Sequence, residues 1–131
     1  MKLRTALALV GMLVAADAHA TGSWSQQVPG PLLTSPGRTV ETLLSPPDAA
    51  SLSGQLVTRV RWRFDHDSAP GGFEGSLCHQ EACVEVIHPF GWTDALYGKP
   101  ADRSLHFRFR RLSPQGPPIK IRYLQVIVDY R

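Results

Sequence analysis

The chain has 131 residues, with 14 Lys and Arg against 11 Asp and Glu, a formal charge of +3. That length supports one domain with a real core and not two. The charge is too mild to imply a nucleic-acid partner, and 11 prolines with 11 glycines favour many short segments over long helices.

At the N-terminus Lys2 and Arg4 precede an uncharged apolar run, Thr5 to Ala16, and Ala18-His19-Ala20 is a small-x-small cleavage pattern. This reads as a secretory signal peptide over residues 1–20, cleaved after Ala20, with a single β domain over 21–131. No later apolar run approaches the ~18 residues of a membrane span, so the mature chain is expected to be soluble and without a membrane span. Export exposes it to oxidising conditions, in which its two cysteines are expected to pair.

In chain order, Thr21 to Gln27, with Trp24, reads as a short first strand. Val28 to Gly37 carries Pro29, Pro31 and Pro36 and reads as an extended connector. Arg38 to Leu44 is rich in β-branched and apolar residues and predicts a strand, stopped by Ser45-Pro46-Pro47-Asp48. Asp48 to Leu52 allows one helical turn.

Gln55 to Phe64 is the clearest strand. Leu56, Thr58, Val60, Trp62 and Phe64 alternate with Gln55, Val57, Arg59, Arg61 and Arg63, the period of two of a half-buried strand. Asp65 to Gly72 reads as a polar loop ending in Pro70-Gly71-Gly72. The cysteines follow, spaced C-x4-C, between strand-forming runs over Phe73 to His88. With Cys78 opposite Cys83, Leu77 faces Val84 and Gly75 faces Val86. Phe73, Leu77, Val84 and Val86 then share a buried side, while Glu74, Ser76, Cys78, Cys83 and Glu85 share the outer one. Opposed residues sit within disulfide reach, so a clamped β-hairpin is the expected reading. Closing so short a ring contributes only about 2 kcal/mol, so the bond fixes register more than bulk stability. A zinc or redox site is the rival, but the spacing is not C-x-x-C and no second cysteine pair exists.

Pro89 to Arg103 gives a weaker signal; a short strand is expected near Thr93 to Tyr97. Ser104 to Arg111 alternates again, Leu105, Phe107 and Phe109 against His106, Arg108 and Arg110. Pro114 to Pro118 is a turn segment. In Ile119 to Arg131 the alternation changes phase, from Ile119, Ile121 and Tyr123 to Leu124, Val126, Val128 and Tyr130. Such a one-residue slip predicts a β-bulge or a bend between sheets. Seven to eight short strands separated by turns predict an all-β, antiparallel sandwich, with a β-barrel as the alternative.

Catalytic patterns are absent from the sequence: there is no G-x-S-x-G, no phosphate-binding loop and no H-E-x-x-H. No catalytic residue, metal site or cofactor is therefore assigned. Asp65-His66-Asp67 is the nearest approach to a metal site, but consecutive side chains diverge in an extended loop. His79 and His88 are expected at the hairpin tip and edge. The candidate partner-binding residues are Arg59, Arg61, Arg63, Arg108, Arg110, Phe90 and Trp92. If the two arginine-bearing strands were neighbours they would form one basic surface for an anionic partner. The competing expectation is ion pairing with Glu74 and Glu85. Phe90 and Trp92, in a Gly/Pro-rich loop, could stack on a sugar, enter a protein groove, or cap the end of the sandwich.

Three blocks together resemble the flagellar FlhE family: Trp62-Arg63-Phe64, Leu77-Cys78 through Cys83-Val84-Glu85, and Val126-Ile127-Val128-Asp129-Tyr130-Arg131. The family has a signal peptide, a W-R-aromatic strand, an L-C-x4-C-V-E hairpin and a V-I-V-N-Y-R terminus, and Trp24 fits near the mature start. Here Asp129 stands in place of the Asn, and 87–100 carries no matching block. The resemblance implies a periplasmic, non-enzymatic accessory of flagellum assembly. Its partners would be flagellar export, rod or filament proteins. Two roles are implied: limiting proton leak through the export apparatus, or a chaperone action that stops flagellar subunits assembling in the periplasm. The C-terminal strand is a second expected contact surface, through strand addition if it lies at a sheet edge. The alternatives are a cell-wall or carbohydrate-binding module using the Trp92 loop and a small metal-dependent hydrolase using Asp65, His66 and Asp67.

Overall fold

Alternating apolar residues dictate strands that must bury one face, and the chain does this with two antiparallel sheets. The structure is a computed structural model describing residues 21–131; the expected signal peptide lies outside the described residues. Among the described residues nine strands form, in order β1 (Gly22–Val28), β2 (Leu32–Leu33), β3 (Thr39–Leu44), β4 (Val57–His66), β5 (Phe73–His79), β6 (Ala82–Val86), β7 (Phe90–Thr93), β8 (Leu105–Arg111) and β9 (Ile119–Tyr130). A 3-10 turn, Ala49–Leu52, stands where one helical turn was expected. One sheet has the order β1-β9-β4-β7, with β2 also on β9; the other has the order β3-β8-β5-β6. The sheets do not close into a barrel.

The inner faces meet in one apolar core. Phe64 of the first sheet lies edge-on to Phe109 and Phe107 of the second, at ring-centroid distances of 5.4 and 6.4 Å. Phe107 and Phe109 stack on each other at 5.6 Å. Val60, Leu124, Val126 and Val128 fill the first sheet's side, and Leu77, Leu105 and Val86 the second's. Trp24 is buried as well, and its indole N–H donates to the Ala101 carbonyl at 2.9 Å, so its polar atom is not left unpaired.

The cysteine hairpin has the register read from the sequence: Gly75 opposite Val86, Leu77 opposite Val84 and Cys78 opposite Cys83. The disulfide closes across a Cα separation of 4.0 Å. The turn is tighter than four residues, because His79 also pairs with Ala82, and Gln80 takes a left-handed φ of 52°. Cys78 is buried although it lies on the outer side. It sits on an inner strand with Cys83 on one flank and His106 on the other, whereas Cys83 is on edge strand β6 and exposed.

The phase slip in the last strand is a bulge. Between Arg63 and Asp65 the partner on β9 advances by one extra residue, and Tyr123 there has φ 52° and is exposed. Turning Tyr123 outward, against its expected grouping with Ile119 and Ile121, lets both halves of β9 keep their apolar rows inward. A second irregularity lies between Val57 and Arg59, so Val57 points inward and Leu56 outward, the reverse of simple alternation.

Other expectations are corrected. The strand expected at Thr93 to Tyr97 lies earlier, at Phe90–Thr93, where the chain hydrogen-bonds to β4. His79 is buried rather than exposed, with Nε2 2.7 Å from the Pro100 carbonyl. β9 is not an edge: β1 and β2 flank one side and β4 the other, so its backbone is unavailable for strand addition.

Phe64→Ala should cost about 3–5 kcal/mol, because it empties the aromatic junction between the sheets. Phe90→Ala, at a solvent-facing position, should stay within about 0.5 kcal/mol. Urea unfolding of both variants checks the contrast.

Candidate partner-binding face

In an antiparallel sheet, directly opposed residues share a face, so the outer surface of the first sheet follows from its register. Arg61 lies opposite Trp92 on one side and Ile127 on the other; Arg63 lies opposite Phe90 and Gln125; Arg59 lies opposite Asp129. The arginines of β4 therefore run between the aromatics of β7 and the outward row of β9. Phe90 is 72% exposed and Trp92 56%. The Arg59 guanidinium lies 4.2 Å from the centroid of the Trp92 ring, a cation–π contact. Gly91 sits between the two aromatics because a side chain there would meet the Trp62 ring at 2.6 Å. The Trp62 indole N–H donates to the His88 carbonyl at 2.9 Å, which holds the chain entering β7 against β4.

The seven candidate residues do not form one surface. Arg59, Arg61, Arg63, Phe90 and Trp92 share the outer face of the first sheet. Arg108 and Arg110 are on β8, in the other sheet, on the opposite outside of the sandwich. The premise that β4 and β8 are neighbours is not met. Phe90 and Trp92 belong to an edge strand rather than a loop, and they do not cap the core, since both stand outward.

The two faces differ in charge balance. Around β8, Arg110 pairs with Glu74 at 2.5 Å, and Glu41 meets His106 at 2.5 Å and Arg108 at 3.8 Å. Glu74 is a partner expected from the sequence; the other expected one, Glu85, has no described ion pair, and Glu41, which local periodicity did not single out, takes that part. On the first sheet Arg61 pairs with Asp129 at 2.9 Å. Among the described ion pairs neither Arg59 nor Arg63 has a carboxylate. The β4 face thus carries two arginines without a described ion pair, beside exposed aromatic surface, with Asp65 and Asp129 as the acidic residues of the same face.

Asp65, His66 and Asp67 do not converge. Asp67 bonds to Arg122, and His66 Nδ1 lies 2.7 Å from the Asp67 carbonyl oxygen. Among the described residues no group of three His, Cys, Asp or Glu is placed to hold a metal. Beside His79, a second polar group lies in the interior without a signal in the sequence: Arg111 continues the inward row of β8 and is buried. Its guanidinium donates to the carbonyls of Thr34, Gln115 and Gly116, at 2.8, 2.9 and 2.6 Å, and so ties two loops to the end of the core.

The family model described as "Flagellar protein FlhE" matches residues 30–131. The chain belongs to the FlhE family. It is 31% identical to "Flagellar protein FlhE" of Escherichia coli strain K12 and 32% identical to that of Salmonella typhimurium, in each case over 98% of this chain and 100% of the relative. A solved structure described as "Crystal Structure of FLHE" superposes with a TM-score of 0.73 at 30% identity, covering 85% of this chain and 97% of the other. The chain is thus a flagellar accessory protein of FlhE type with an all-β, sandwich-like fold. Among the described residues no helix is long and apolar enough to cross a membrane.

Above all, the Arg122 hydrogen bond to its carboxylate holds Asp67 below the usual aspartate range, with burial working the other way; the same bond raises Arg122. A depressed folded-state value gives stability that is present above the unfolded aspartate value and lost as pH falls through the folded one. Stability measured by urea unfolding should therefore fall on the acid side, below about pH 4, and Asp67→Asn should flatten part of that fall.

Proposed function

We propose that this FlhE-family protein works in the periplasm as a non-enzymatic accessory of flagellum assembly, through protein–protein contact at the outer face of β4 and β7. There it limits proton leak through the export apparatus, acts as a chaperone against premature assembly of flagellar subunits, or both. The observation that carries this reading is the pairing of unneutralised Arg59 and Arg63 with outward Phe90 and Trp92 on one rigid sheet. Interfaces draw their energy from aromatic and arginine anchors, and a cationic rim favours acidic partners. The membership of a flagellar family supports partners from the export apparatus, rod or filament.

The cell-wall or carbohydrate reading needs an open aromatic platform. Arg59 already lies over Trp92, which weighs against stacking on that side of the ring. No chemistry is assigned to the face; its groups attract and position a partner rather than transfer a proton or attack a bond.

A strain lacking the gene should show a flagellar phenotype: altered motility, altered cytoplasmic pH or filaments in the periplasm. Arg59→Glu with Arg63→Glu should fold and yet fail to restore that phenotype, while Arg108→Gln with Arg110→Gln restores it. A deletion strain with normal motility, normal cytoplasmic pH and no periplasmic filaments contradicts the flagellar role, and capture on peptidoglycan would favour the wall-binding alternative.

A further inference from the structure

β7 ends its sheet, and its backbone shows which groups remain available. Phe64 N–H donates to the Pro89 carbonyl at 2.8 Å, so Phe64 and Pro89 are a hydrogen-bonded pair. Hydrogen-bonded and non-hydrogen-bonded pairs alternate along an antiparallel ladder. Trp62 with Gly91 and Val60 with Thr93 are then the bonded pairs, while Phe90 and Trp92 face β4 without bonding to it. The N–H and C=O groups of Phe90 and Trp92 therefore point to the open side, where no further strand lies. No described backbone bond outside the strands takes them up.

The side chains around this edge select what could pair there. Phe90 and Trp92 project on the outer face, and Ile87, 73% exposed, precedes them. The Arg59 guanidinium leans over Trp92 toward the edge. A strand added beyond β7 would lie about 10 Å from β4, two strand spacings, a gap that an arginine of β4 and a glutamate of the added strand close by reaching toward each other. The edges of the other sheet differ: β3 carries Glu41 and β6 carries Glu85. Pairing of two copies through β7 would set the two β4 strands about 14 Å apart, three strand spacings, with the cationic Arg59 and Arg63 of both copies facing one seam and no carboxylate supplied between them.

Resting on the protein-contact reading above, we infer that the free edge of β7 takes up an extended acidic segment of a partner protein as an added strand. Backbone bonds to Phe90 and Trp92 hold it. Its outward residues pack beside the two aromatics, and its carboxylates meet Arg59 and Arg63. This is strand addition, in which main-chain bonds give affinity and alternate side chains give selectivity. It also gives a reason for the outward aromatics and arginines to be grouped beside an open edge, a place that proteins otherwise protect against pairing.

The test is amide hydrogen exchange by NMR on the purified exported chain, with and without a synthetic peptide of about eight residues alternating Val and Glu, long enough for an ordinary strand. The expected result is that the Phe90 and Trp92 amides slow by about tenfold or more on peptide addition, while Gly91 and Thr93, already bonded to β4, change little. A peptide with Lys replacing Glu should not bind, and Arg59→Glu with Arg63→Glu should raise Kd by about tenfold. Absence of binding, equal binding of the Lys peptide, or binding without protection of Phe90 and Trp92 overturns strand addition. Protection that instead rises with protein concentration alone identifies self-pairing and overturns the acidic partner. If protection fails but the arginine reversal still abolishes function in cells, the face survives and the edge mechanism does not. If protection is seen but the reversal leaves cells unaffected, the edge binds acidic strands and the flagellar role of this face is the part that fails.

Discussion

The pairing of β9 on both of its sides is the constraint on which the rest of the structure depends. Its inward row of Ile119, Ile121, Leu124, Val126 and Val128 supplies much of the core, and its outward row sets what stands beside the arginines. One inserted residue at Tyr123 reconciles these demands. Without the bulge, either the first or the second half of the strand would turn its apolar side to solvent. The chain end is held as well: Leu56 and Arg131 exchange backbone hydrogen bonds at 2.9 and 3.0 Å. β4 is thereby fixed between β9 and β7, and its arginines are presented from a strand bonded on both sides rather than from a loop.

Much of this was legible because it is local. The two-residue period of Gln55 to Phe64 and of Ser104 to Arg111, the C-x4-C spacing and the phase slip after Tyr123 each report on neighbouring residues, and each appears in the structure as a strand, a clamped hairpin or a bulge. What the sequence did not disclose is non-local. Nothing in the periodicity of β4 and β8 says that they lie in different sheets. Nothing in the last strand says that it is flanked on both sides. Phe90 to Thr93 is short, holds a glycine and follows a proline, so propensity placed its strand a few residues late; pairing with β4 decided the matter. Val57 was assigned to the wrong side because an irregularity in register is invisible to strict alternation. His79 and Arg111 were not expected in the interior, since their burial rests on carbonyls of distant loops: Pro100 for the first, Thr34, Gln115 and Gly116 for the second.

The candidate site was legible as a set of residue types but not as a surface. The sequence named both arginine stripes and both exposed aromatics. Only the sheet order separates them into a face whose charges are largely matched by glutamates and a face on which two arginines are not matched. That asymmetry, set within a flagellar family, is the ground for proposing partner contact at β4 and β7. On that proposal a small domain without an assigned reaction is selective because a sheet bonded on both sides of β4 presents aromatic area and positive charge together, with no backbone of its own to order on binding.

Site-specific photo-crosslinking in living cells tests the central claim most directly. A photoreactive residue at Phe90 or Arg63 should crosslink to a flagellar export, rod or filament protein, and the same probe at Arg108 on the opposite face should not. Crosslinks to such proteins from Arg108 and none from Phe90 or Arg63 would contradict the account.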